Sequence, residues 1–279
     1  MRIHNALIGV TIGFAVAVSG LIVGPAVAQD DPVYERVMKD KKLRVYALQG
    51  PLPQTFRDGE EFKGFDADIF RYITKKMGVA LEPVWGPPAA MVLSITSGRA
   101  DISIAYYRTP EREQVIDFTT PYKWIGDHVI VNVDDNSIKN IEDLKTKTVG
   151  VVRGSTQEIA AKAMQEAGFI KDIRSFEQMD LVYQDLKVKR VDAILNQTIY
   201  HQWLQNQNPD LKAKLAFEVN PKYFGRSGLN PSQFPVPKGA NKLRETVDKI
   251  LIEMRENGEM ERIFTAYGIT DPVVWTPPK

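Results

Sequence analysis

The chain has no cysteine and only three histidines among its 279 residues. The missing cysteine removes disulfides, thiolate nucleophiles, thiolate metal sites and any lipobox thiol through which acylation would hold the protein on a membrane. It does not argue against export, because a chain of this length buries enough apolar surface without covalent staples. Beyond the first segment only His128 and His201 remain, with no HExxH spacing, and neither a G-x-S-x-G nor a P-loop sequence occurs. Each histidine therefore reads as an ordinary surface or half-buried residue, and no metal or cofactor is expected. An excess of charge of one sign is missing as well. Arg2 is the one charged side chain of residues 1–28, so the remainder balances 35 basic against 35 acidic groups. That balance leaves no basic stripe for nucleic acid and no polyelectrolyte tail.

A single long apolar run is present. Arg2 precedes the stretch Ala6 to Val23, which Gly24-Pro25 breaks before the small-x-small sequence Ala26-Val27-Ala28. The run is about long enough to span a bilayer. The break and the A-x-A sequence favour a signal peptide cleaved after Ala28, with the mature protein diffusing in the periplasm. No second run approaches membrane-spanning length, which argues against a transmembrane receptor.

From Leu43 onward strand and helix patterns alternate. Leu43–Leu48 reads as a buried strand, and Phe65, Ile69, Ile73 and Met77 recur at helical spacing up to Gly78. Glu82–Trp85, a short helix through Val92 and Ile95, and a strand over Ile102–Tyr106 complete a βαβαβ unit, which predicts a mostly parallel sheet with helices on both faces. A second unit begins near Val129, with strands over Val129–Val133, Val149–Val152, Val191–Leu195 and Lys214–Val219. Helices are expected from Gly154 to Ala167, from Leu181 to Val188 and around Ile199 to Leu204. The stripe Leu243, Val247, Ile250, Leu251 and Met254 marks a further helix ending at Asn257-Gly258, followed by a shorter one through Met260, Ile263, Phe264 and Tyr267. Two α/β units of this size fit two domains better than one large sheet.

Two segments carry binding chemistry. Thr109-Pro-Glu-Arg112 follows a strand, and an arginine just beyond a strand end is well placed to clamp a carboxylate bidentately. A solvated ion pair with Glu111 or Glu113 explains the same arginine. Gly154-Ser-Thr-Gln-Glu158 fits a capping box at a helix start, where first-turn N–H groups form an anion site; capping alone explains it too. Together the segments describe two lobes gripping one carboxylate. No nucleophile–base pair accompanies them. Of Trp85, Tyr106, Tyr107, Tyr122 and Trp124, two or three are expected to line a site and the rest to be core.

The order and spacing of Leu43-Arg-Val, Gly64-Phe-Asp-Ala-Asp68, Ser97-Gly-Arg-Ala-Asp101, Thr109-Pro-Glu-Arg112, Asp117-Phe-Thr-Thr-Pro-Tyr122, Gly154-Ser-Thr-Gln-Glu158 and Val236-Pro-Lys-Gly239 resemble the bacterial extracellular solute-binding proteins of family 3, the polar amino-acid receptors of ABC importers. The resemblance implies an α/β, two-lobed, type II periplasmic-binding-protein fold with two hinge strands. Lobe 1 would comprise residues 29–123 and 226–279, and lobe 2 residues 124–225. A monomer would close on an amino acid or related small carboxylate by a hinge motion and hand it to a membrane permease. Arg112 would clamp the ligand carboxylate, with Ser155 and Thr156 adding donors. Gln49, Ala105, Tyr107 and Gln197 fall at the other ligand-contacting positions.

Several of these depart from the family pattern. Gln49 replaces the usual aromatic residue, Tyr107 a Ser or Thr, and Arg108 an aliphatic residue. Gln197 stands where an acid would pair with the ligand's α-ammonium. A neutral amide supplies no compensating charge, and burying an unpaired cation costs several kcal/mol, so the expected ligand keeps a carboxylate and lacks, or carries differently, a free ammonium. A one-position slip would instead bring Asp192 or Asp185 to the ammonium. The rival class is a periplasmic enzyme similar to cyclohexadienyl dehydratases, which would want a carboxylic acid in the cleft as proton donor. A third is a partner protein with a vestigial cleft.

Overall fold

The computed structural model describes residues 31–48, 52–104, 108–225 and 228–278. The segment expected to be a signal peptide and the site candidates Gln49, Ala105 and Tyr107 lie outside the described residues, as do Tyr106 and Ser227.

The first lobe opens with α1 (Pro32–Asp40), β1 (Lys42–Ala47), a short hairpin of β2 (Phe56–Asp58) and β3 (Glu61–Lys63), and α2 (Phe65–Met77). Then come β4 (Ala80–Trp85), α3 (Met91–Thr96) and β5 (Ile102–Ser103). β1 pairs in parallel with both β4 and β5, as the βαβαβ pattern requires. The periodic stripe of α2 is buried as read, with Phe65, Ile69 and Ile73 at 0% exposure, and Gly78 ends the helix in the left-handed region at φ 68°. Each lobe therefore gathers around faces that the sequence periodicity had already sorted.

The chain continues through α4 (Pro110–Glu113), β6 (Ile116–Phe118) and β7 (Lys123–Ile125), and crosses at Gly126 into β8 (Asp127–Asn132). The second lobe adds β9 (Thr148–Val152), α5 (Thr156–Glu166), β10 (Asp172–Phe176), α6 (Met179–Lys187), β11 (Ala193–Gln197), α7 (Thr198–Gln207) and β12 (Ala213–Glu218). Its sheet has the order β10-β9-β11-β8-β12. Here one expectation fails: β8 runs antiparallel to both β11 and β12, so only the β10-β9-β11 part is parallel. Connectivity explains it. β8 carries the chain away from the first lobe and β12 brings it back, which periodicity alone cannot reveal.

The return segment consists of β13 (Asn230–Ser232), β14 (Pro235–Pro237), α8 (Asn241–Glu256) and α9 (Glu259–Ala266). β13 pairs antiparallel with β7 and β14 with β6, so the outgoing and returning strands are hydrogen-bonded to each other where the chain changes lobes. The α8 residues Leu243, Val247, Ile250, Leu251 and Met254 join the core of α2. In the second sheet Val129 and Val131 bury on one face and Ile130 on the other, the period-two alternation of a strand covered by helices on both sides.

Candidate ligand-binding site

Two neighbouring cavities are lined by residues of both lobes. The first, about 330 Å³, is bounded by Gln54 and Phe65 on one side, by Ser155, Gln157, Asn196 and Gln197 on the other, and by Ile125 at the crossing. The second, about 280 Å³, is lined by Arg108, Asp127, Thr156, Ile159, Gln197, Phe224 and Asn230. Gln197 belongs to both. Ile199, in the first turn of α7, buries among the first lobe's core residues and helps to seal the space. Volumes of this size fall at the small end of the range of small-molecule sites, about 300–1,000 Å³.

Gly154, in the left-handed region at φ 72°, turns the chain from β9 into α5 and sets Ser155 and Thr156 at the helix start. The Ser155 Oγ accepts from the Glu158 N–H at 3.1 Å, as a capping box predicts. The return arm differs. Glu158 Oε2 takes the Gly154 N–H at 2.7 Å, because the Ser155 N–H already bonds the Val152 carbonyl within the turn. The Ser155 hydroxyl also gives its proton to the Val152 carbonyl at 2.7 Å. Hydrogen bonds from Ser175 Oγ and the Gly154 N–H, with Lys162 adding, hold the Glu158 carboxyl down to about 2. Part of this helix start therefore serves an internal carboxylate, while Thr156 lines the second cavity.

The structure brings Ser155, Thr156 and Gln197 together. Arg112 stands half-buried on the short helix α4, its N–H held by Thr109 Oγ1 at 3.4 Å, and does not appear among the described residues lining either cavity. Arg108, a turn before it, lines the second cavity and is ion-paired with Glu113.

The acids that a register slip would have supplied are engaged elsewhere. Asp192 accepts the Thr148 N–H at 2.8 Å, and Asp185 is bound by Arg174 at 2.8 Å and Arg190 at 3.4 Å. Asp127 is a further acid at the second cavity, outside the set of site residues expected from the sequence. It is 4% exposed, faces Gln197 in the β8–β11 ladder, and accepts from Gln157 Nε2 at 2.7 Å. The strand that it opens also carries His128 and Asn132, so the local pattern does not single it out.

Behind Gln54 runs a buried polar chain. Lys123, 1% exposed on the crossing strand β7, donates to Gln54 Oε1 at 3.2 Å and to Ser232 Oγ of β13 at 3.1 Å. Its ammonium lies 5.0 Å from the Tyr122 ring and 5.5 Å from that of Phe65. Gln54 Nε2 and the Tyr122 hydroxyl both donate to Asp66. Burial pushes Lys123 down to about 8, with Asp66 acting in the opposite sense. Tyr122 and Trp124 are core residues, and Trp85 packs edge-on to Phe62 at 5.6 Å.

One further correction concerns His201. It is fully buried, with its ring stacked at 6.0 Å on that of Tyr183, and burial with nearby His128 pushes it down to about 4, so it is neutral at pH 7. The surrounding helix reads as half-buried by periodicity, which does not identify its innermost residue. His128 is half-buried as expected, its Nδ1 2.7 Å from Thr198 Oγ1.

Two α/β lobes, paired crossing strands and cavities lined from both sides define a type II periplasmic-binding-protein fold. The family of bacterial extracellular solute-binding proteins, family 3, matches residues 43–270. The arginine-binding extracellular protein ArtP of Bacillus subtilis is 30% identical over 80% of this chain and 84% of its own length. The L-cystine-binding protein TcyJ of Escherichia coli K12 is 29% identical over 93% of each chain. Among solved structures, the ancestral cationic amino acid solute-binding protein AncCDT-1 is similar at a TM-score of 0.73 and 26% identity, covering 84% of this chain and 98% of its own. A second AncCDT-1 structure, at TM-score 0.62 and 25% identity over 86% and 100%, is described as that of a precursor of cyclohexadienyl dehydratase. The chain belongs to family 3 of the bacterial extracellular solute-binding proteins, and it is a solute-binding protein of the ABC-importer type. Among the described residues no helix is long and apolar enough to cross a membrane.

Proposed function

We propose that this protein is exported to the periplasm by cleavage after Ala28, captures an amino acid or closely related carboxylate between its lobes, and delivers it as a monomer to an ABC-importer permease. Residues 29–123 with 226–279 form the first lobe in this reading, and residues 124–225 the second. The observation that carries it is the pair of cavities whose polar lining comes from both lobes and meets at Gln197. A ligand held there bridges the lobes and stabilises closure by its contacts with both. Relatives named for arginine and cystine support an amino acid as the ligand class. Arg112 is assigned the carboxylate clamp, with Thr156 and the first-turn N–H groups of α5 as further donors. Binding, rather than dehydration of a cyclohexadienyl substrate, is favoured by the relatives, which are named for binding arginine and cystine.

The test uses protein purified from the periplasm and freed of ligand by unfolding and refolding. A thermal-shift screen against amino acids, amines and simple carboxylates should give hits among carboxylate-bearing compounds, each raising the midpoint by mass action. Arg112→Ala should abolish those hits, and an unchanged affinity would remove Arg112 from the site. Release of an aromatic product from prephenate or arogenate would restore the enzyme reading.

A further inference from the structure

We infer that Lys123 is a positioning residue for the ligand site: from behind the first cavity it fixes which way the Gln54 amide faces a bound solute. This rests on the receptor reading above. Lys123 is 1% exposed, and its ammonium donates to two neutral oxygens, Gln54 Oε1 at 3.2 Å and Ser232 Oγ at 3.1 Å. Burying an ammonium is unfavourable, and an apolar side chain of similar length would fill the same space without that penalty. Its presence here calls for a task that only a fixed donor performs.

Gln54 is half-buried, lining the cavity on one side and meeting this network on the other. Its backbone is already held. The Pro53 and Gln54 carbonyls accept the Phe65 and Asp66 N–H groups at 3.2 and 3.1 Å, and a Cβ on Gly64 would lie 2.4 Å from the Gln54 carbonyl oxygen. The segment therefore approaches the start of α2 as closely as only a glycine allows. What remains to be set is the side chain. An ammonium can only donate, so it selects the amide oxygen. Asp66 Oδ2 accepts from the amide nitrogen at 2.9 Å, while the Tyr122 hydroxyl donates to Oδ1 of the same carboxylate. The two partners make opposite demands on one amide and so exclude its flip. Gln54 keeps one N–H and one oxygen lone pair for the cavity. Across the space stand Ser155, Gln157, Asn196 and Gln197, so a solute bound to Gln54 can touch both lobes. Ser232 is the register partner of Lys123 between the paired crossing strands, which anchors Nζ to a strand rather than to a loop.

Calorimetric titrations of the refolded protein with the common L-amino acids and the matching 2-hydroxy acids test the assignment. For the compound that wild type binds most tightly, Lys123→Met and Gln54→Met should each weaken binding about 10-fold, the scale of one hydrogen bond left unmade. Lys123→Met exchanges a buried charge for an apolar side chain, which is often neutral or stabilising, so the variant should fold. The double variant should also lose only about 10-fold, because without the amide Lys123 has nothing to orient; independent effects would multiply to about 100-fold. Unchanged affinity in Lys123→Met or in Gln54→Met overturns the inference, as do losses that multiply, which would mark a purely structural role. Ser232→Ala gives an independent reading, since it leaves the ammonium in place and removes one of its anchors. It should weaken binding about threefold in the wild-type background and leave Gln54→Met unaffected, and equal losses in both backgrounds overturn the inference. A wild type that binds none of these compounds overturns the receptor reading and the inference with it, whereas the earlier outcomes overturn the inference alone.

Discussion

Asp101 and Arg44 are joined by three hydrogen bonds at one edge of the first sheet: the Arg44 N–H at 2.8 Å and Nε at 3.1 Å to Oδ2, and a terminal guanidinium nitrogen at 2.7 Å to Oδ1. Arg36 of α1 adds a fourth bond to Oδ1 at 2.6 Å. The Asp101 side chain is 1% exposed, so β1, β5 and α1 are tied together around a buried carboxylate. This accounts for the Ser97-Gly-Arg-Ala-Asp101 motif as structural rather than ligand-binding. Asp101→Asn removes the charge and leaves guanidinium donors partly unmatched. Because Arg36 and Arg44 reach solvent, the cost should fall at the lower end for a broken buried pair, about 2–3 kcal/mol, read as a lower urea midpoint at unchanged slope.

Lys123 should make stability climb in mild alkali. Its ordinary value of 10.5 is lowered to about 8 by burial, so between those two pH values the unfolded chain holds a proton that the folded protein has released. The unfolded state binding more protons means stability rises with pH across that window. Relative to Lys123→Met, wild type should gain on the order of 3 kcal/mol between pH 8 and pH 10.5, measured by urea unfolding at several pH values. Parallel curves for the two proteins would show that Lys123 is not held in the destabilised charged state at neutral pH.

Glu158 acts at the opposite end of the scale. Its carboxyl, held near 2 instead of 4.5 by Ser175 and the Gly154 N–H, contributes stability that is complete above about pH 4.5 and is lost as the pH falls toward 2. Glu158→Gln should be less stable than wild type at pH 6, and the difference should shrink on acidification through this window. A difference constant with pH would assign the loss to packing around the start of α5 rather than to the ionised carboxylate.

Much of the fold was legible because its signals are short-range. The apolar stripes of α2 and α8, the stops at Gly78 and Gly258 and the start of α5 at Ser155 need only a few neighbouring residues to be recognised. The site was harder. Ser155 looked like a capping residue with hydroxyl to spare for a ligand, yet its proton goes to Val152, a bond that depends on how the turn closes. His201 looked peripheral and is fully buried, because the helix that carries it packs against Tyr183 of a different element.

The sequence by itself determined the two α/β units, the helix limits, the family motifs and the absence of an acid at position 197. All of these are properties of local spacing and side-chain chemistry, which the chain carries into any conformation. Only the tertiary structure decided that β8 runs against its neighbours, that Lys123 is buried where the two crossing strands pair, and that Asp127 lies across the ladder from Gln197. Strand direction and register follow from which distant segments bury their apolar faces together, and no window of sequence contains both partners.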